Sequence, residues 1–163
     1  CEWYDIEGYA LDKYVAEQGE FLTNKIKNMI VENPDIINKQ KKDIIYVISP
    51  FKNVAYQLSK ELNKIEFTRY DKKGKPTNIG TVHTFQGKEA PIVFFVLGAD
   101  KKCIGAANWA VGTDNPNIMN VAVTRAKEEF YIIGDKEMYL SLNSDVINDT
   151  CKIIEKHNMN TSL

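Results

Sequence analysis

Apolar residues along this chain recur in two alternating rhythms. Leu22, Ile26, Met29 and Ile30 repeat at helical spacing and predict a helix over 17–32, closed by Asn33 and Pro34. The basic stretch "NKQKKD" after it reads as a solvated loop. "IIYVI" at 44–48 is a short continuous apolar run, as expected of a parallel strand covered on both faces. Ser49 then predicts an N-cap and Pro50 a first helical residue, for a helix whose stripe is Phe51, Val54, Ala55, Leu58 and Leu62. Further strands are predicted at "EFTRY" (66–70), "IGTVH" (79–83), "PIVFFVLG" (91–98) and "FYIIG" (130–134), with the turn "DKKGKPTN" after the first. Residues 98–114, rich in Gly and Ala and containing Trp109, read as a long loop. Asn115-Pro116 opens a helix reaching about Lys127, and two more helices, about 136–142 and 145–157, precede an Asn-rich tail. Strands alternating with helices predict an α/β fold, a three-layer α/β/α sandwich around a mostly parallel sheet.

Composition narrows this picture only a little. The 163 residues fit one domain with a substantial core, and 44% hydrophobic with 26% charged residues is ordinary for a globular chain. A formal net charge of −1 shows no basic excess, so any contact with nucleic acid has to be local. Three widely spaced cysteines, Cys1, Cys103 and Cys151, form no CxxC pair, which argues against a zinc site or a disulfide scaffold and suits a reducing cytoplasm. No apolar run approaches the roughly 18 residues that a membrane span needs, and no membrane partner is expected. The abrupt start at Cys1 is expected of a piece of a longer chain. There is no internal repeat or low-complexity segment.

Candidate chemistry gathers where polar residues interrupt core strands. In sheets of this kind ligands bind beyond the carboxyl ends of the strands, and three candidate sites are expected there. The first is Ser49-Pro50-Phe51, where a helix N-terminus favours an anion, with a plain structural cap as the alternative. The second is "GTVHTFQGKEAPIVFF" at 80–95. Period-two alternation would put Thr81 and His83 on one face, before a corner of Gln86, Gly87, Lys88 and Glu89 in which Gly87 is free to take a positive φ. These residues suit hydrogen bonding, and no Ser/Cys nucleophile with a base, nor a metal cluster, accompanies them. His83 has the alternative of a half-buried structural role. The third is the helix 116–127, where Arg125 follows Ile118, Val121 and Ala122 at i+7 and so takes an inward position. An inward arginine needs an anion or an internal partner such as Glu89.

Three stretches then align with a known family. "VISPFKNVAYQL", "GTVHTFQGKEAPIVFF" and "PNIMNVAVTRAKEEFYIIGD" closely resemble, in order, motifs IV, V and VI of superfamily 1 DNA/RNA helicases. The nearest branch is the one typified by the nonsense-mediated-decay helicase and its bacterial relatives, and the resemblance covers roughly 1–137. It implies that 1–163 is the second RecA-like domain of a helicase that binds ATP with Mg²⁺ between two such domains and tracks along single-stranded nucleic acid. By position, Arg125 would be the arginine finger, a role typically worth a factor of about 10³–10⁵ in rate. Gln86 and Gly87 would line the nucleotide cleft with Glu89 near the ribose, and Ser49, Pro50, Thr81 and His83 would face the strand, where hydroxyls and backbone N–H groups hold phosphates.

One departure matters. No G-x-x-x-x-G-K-[ST] occurs, since neither Gly74-Lys75 nor Gly87-Lys88 has a glycine five residues earlier, and no apolar strand ends in Asp-Glu. The resemblance assigns those parts to the first RecA-like domain of the same chain, so this domain alone is expected to hydrolyse no ATP. The competing reading is a non-catalytic helicase-like module that binds nucleic acid or protein.

Overall fold

The computed structural model describes residues 1–111 and 117–161. Its centre is a five-stranded sheet in the order β1-β7-β6-β4-β5, with strands Glu2–Asp5 (β1), Ile45–Ile48 (β4), Ile79–Gly80 (β5), Ala90–Val96 (β6) and Ala126–Gly134 (β7). Every pairing in it is parallel. Two short antiparallel strands, Ala10–Leu11 (β2) and Tyr14–Val15 (β3), form a separate hairpin. The apolar runs read from the sequence are the sheet's buried middle: β4 is buried throughout, and Phe94 and Phe95 of β6 are fully enclosed. Parallel neighbours require crossovers, and right-handed ones set the layers. Helices Ala16–Glu32 (α1) and Lys52–Asn63 (α2) pack together on one face, while Ile104–Val111 (α3) and Asn117–Thr124 (α4) pack together on the other. Helices Lys136–Ser141 (α5) and Asp145–Thr161 (α6) pack beside β1. The expected α/β sandwich of RecA-like arrangement is therefore present.

Several local expectations fail, each for a visible reason. Ser49 is not an N-cap: its Oγ accepts the Phe51 N–H at 3.3 Å in a tight turn, and α2 starts later, at Lys52. "EFTRY" forms no strand beyond a single bridge of Tyr70 with Pro76. The buried Asn78 side chain replaces a strand partner there, donating to the Phe67 carbonyl and accepting the Arg69 N–H, both at 2.9 Å. Strand β5 stops at Gly80, and Val82–Phe85 wind into a 3-10 turn, so Thr81 and His83 do not share a strand face. Most of the expected 98–114 loop is helical: Asp100 accepts the Lys102 N–H and starts a 3-10 turn that runs into α3, which carries Trp109. The helix start expected at Asn115-Pro116 lies outside the described residues. Its end comes early, because α4 stops at Thr124 and Lys127 already belongs to β7.

The 81–89 corner now has a mechanical explanation. Gly80 sits level with Ile48, whereas Ile92 sits level with Ile45. Between two parallel strands the chain must therefore return along the whole length of the sheet. It does so with one 3-10 turn, pinned by the fully buried Phe85, whose ring lies 4.5 Å from that of Tyr46.

Candidate functional site at two ends of the sheet

Strand direction divides the predicted site residues into two groups. Ser49, Pro50 and Thr81 follow the carboxyl ends of β4 and β5. Glu89 and Arg125 instead precede the amino ends of β6 and β7, and the expectation of a shared carboxyl-end site is corrected for them. The corner 81–89 joins the two ends across the face of the sheet.

At the carboxyl ends lies a cleft of about 860 Å³. Pro50, Thr81, His83 and Gln86 all line it, joined by the hairpin tip (Asp12, Lys13), the start of α2, Trp109, Ile118 and Val121. Ser49 does not reach it, being fully buried with its hydroxyl turned to the Phe51 N–H. The start of α2 receives no side-chain cap, so its first-turn N–H groups remain available to an anion. The hairpin tip is held in place by two bonds: Asn53 Nδ2 donates to the Asp12 carbonyl at 2.8 Å, and the Ala99 N–H donates to the Lys13 carbonyl at 2.7 Å. Lys13 Nζ thereby rests 5.4 Å from the centre of the Phe51 ring.

At the amino ends, Arg125 sits in the turn after α4, half-buried, with its N–H closing onto the Ala122 carbonyl. Its Nη1 donates to the carbonyls of Phe85 (3.2 Å) and Lys88 (3.3 Å), and its Nη2 to Thr124 Oγ1 (3.2 Å). Nε is buried and finds no acceptor. The possible internal partner Glu89 is not engaged, and no ion pair among the described residues includes Arg125. Gly87 takes φ +76°, the left-handed conformation that favours glycine, and turns the corner toward Ala90, whose N–H donates to the Arg125 carbonyl. Glu89 borders a second cavity of about 420 Å³ with Asp43, Arg69 and Lys127. There Arg69 Nε lies 3.1 Å from Asp43 Oδ1, and burial pushes the Asp43 carboxyl up against the opposing pull of Arg69 and Lys88.

Sequence reasoning missed the clustering of Lys13, Phe51 and Trp109. The available signals were an Asp-Lys turn between short apolar pairs and an aromatic residue in an Ala-rich run behind a capping Asp100. It also missed the carboxylates of Asp5, Glu7 and Asp135, which approach within 4.8 Å of one another. Two of these serve as caps, Asp5 accepting the Lys136 N–H and Asp135 the Met138 N–H.

A family model described as an AAA domain matches residues 12–137, which includes the whole corner and Arg125. The chain belongs to the AAA domain family. Helicase sen1 of Schizosaccharomyces pombe (strain 972 / ATCC 24843) is 30% identical to this AAA domain over 130 residues. That alignment covers 78% of this chain and 7% of the helicase, so the chain spans only a small part of the relative's length. Family and relative together support a superfamily 1 helicase-like domain, part of a helicase motor. No helix among the described residues is long and apolar enough to cross a membrane.

Proposed function

We propose that residues 1–163 form the second of two RecA-like lobes in a longer, cytoplasmic, ATP-driven superfamily 1 helicase of the nonsense-mediated-decay-helicase-like branch. Its motifs IV, V and VI present one end of the sheet to nucleotide and the other to a single strand of DNA or RNA. The observation that carries this reading is Arg125. A half-buried guanidinium held only by two carbonyls and a hydroxyl, with Nε unpartnered and no carboxylate among the described residues against it, is placed to meet an anion brought from outside. ATP and Mg²⁺ would be held mainly by the first lobe, and bound ATP would supply the phosphoryl group that hydrolysis transfers to water. Arg125 meets the charge on that group and Gly87 and Glu89 border the same nucleotide, while Gln86, expected beside them, lines the carboxyl-end cleft instead. At the carboxyl ends Pro50, Thr81 and His83 face the strand, with Ser49 shaping their loop from beneath.

The test is Arg125→Ala in the full-length protein. Strand-stimulated ATP hydrolysis is expected to fall by about 10³-fold or more, with strand affinity within a few-fold of wild type. Arg125→Lys keeps the charge but loses the planar fork, so it rescues little. ATPase activity within a few-fold of wild type in Arg125→Ala would refute the assignment.

A further inference from the structure

The carboxyl-end cleft contains a wall that phosphate contacts leave unused. Trp109 keeps 53% of its surface exposed, although it projects from a helix beside an 860 Å³ cleft that it lines. Its ring centre stands 6.1 Å from that of Phe51, with the planes tilted by 32°. Phe51 is only 5% exposed, so it backs the indole and offers little face of its own. Two ammonium groups, Lys13 and Lys52, border the same cleft against the one carboxylate of Asp12. Lys13 is placed there by the backbone: Asp12 and Lys13 both take positive φ, 46° and 69°, and Asn53 and Ala99 fasten their carbonyls.

We propose that this wall is a base-stacking subsite, in which Trp109 stacks an unpaired base of a single-stranded nucleic acid whose phosphates lie beside Lys13 and Lys52. The inference rests on the strand-binding reading above and adds to it a contact made to the base. A flat, exposed indole with cations at its rim matches an aromatic base on an anionic backbone. An apolar protein segment would use the indole but leave both ammonium groups unmatched. Stacking of this kind accepts any base, because every base has a π face.

The experiment measures fluorescence anisotropy with the full-length protein at fixed salt. A short labelled oligothymidylate is compared with an abasic strand of equal length. Wild type is expected to bind the oligothymidylate about tenfold more tightly than the abasic strand, the scale of one base–aromatic stack. Trp109→Ala should erase that difference while leaving abasic binding unchanged, and Trp109→Phe should keep most of it. Lys13→Ala should weaken both strands equally and flatten the salt dependence by about one counterion. Equal binding of both strands by wild type overturns the stacking subsite and leaves strand binding standing. So does equal weakening of both by Trp109→Ala. If wild type binds neither strand, the strand-binding reading falls and the subsite with it. Should Trp109→Ala fail to fold, the wild-type comparison and Trp109→Phe still decide.

Discussion

Gly98→Ala is a sharp test of how the hairpin is fastened to the sheet. Gly98 lies just past β6 at φ +61°, and an alanine there carries a left-handed penalty of about 1–2 kcal/mol. The added Cβ would fall 2.5 Å from the Lys13 carbonyl oxygen and 2.9 Å from Val54 Cγ2. The methyl group can shift. The carbonyl cannot, without breaking the 2.7 Å bond from the Ala99 N–H, and a lost backbone bond of this kind costs about 1 kcal/mol. Gly98 also donates its own N–H to the buried Gln18 Oε1 at 3.0 Å, so the backbone has little freedom to retreat. The total is about 2–3 kcal/mol of destabilisation. Urea denaturation reads it as a fall in midpoint at unchanged slope, and amide exchange should show the Ala99 N–H losing protection. A stability loss below about 0.5 kcal/mol with Ala99 still protected would mean that the hairpin is not held through Lys13.

Asp100 gives a pH signature. Its carboxylate accepts the Ala10 N–H at 2.8 Å, and this bond, with lesser help from Cys103 and Lys102, holds its pKa below the usual 3.8. A depressed carboxylate contributes stability above its unfolded value and loses it as pH falls through the folded one. Asp100→Asn should therefore flatten the acid limb of a stability–pH curve below about pH 4, and an unchanged slope there would sink the assignment. Asn78→Ala removes both side-chain bonds that organise 67–70 and strands a buried carbonyl and a part-buried N–H. It should cost about 2–4 kcal/mol by urea denaturation, and a cost under about 1 kcal/mol would show that water replaces the amide.

What the sequence revealed followed how local each cause was. Strands β4, β6 and β7 and helix α2 were legible because their apolar runs report burial directly. Arg125 was found by its spacing from Ile118, yet its real position depends on α4 stopping at Thr124, which turns it onto the carbonyls of Phe85 and Lys88. The 3-10 turn was hidden because "IGTVH" alternates as a strand does. The overlooked clue was Gly80, where a Cβ would meet Thr84 Oγ1 at 2.3 Å, so only glycine lets the turn fold back. Strand β1 could not be read, since "EWYD" has no pattern apart from the partner it joins. The cleft wall assembles Lys13, Phe51 and Trp109 from three separate elements, and no window along the chain contains them together.

The pairing of β1 with β7 bears on how the molecule is made. Trp3 Nε1 donates to the Gly134 carbonyl across 131 positions of chain, and Glu2–Asp5 run in register with Tyr131–Gly134. On a ribosome the opening strand waits for its neighbour until most of the segment has emerged, and such distant parallel pairing is slow to form. The sheet is thus sealed at one seam by two stretches of sequence that lie far apart along the chain. Deleting residues 2–5 would leave the Tyr131–Gly134 stretch of β7 as an unpaired edge.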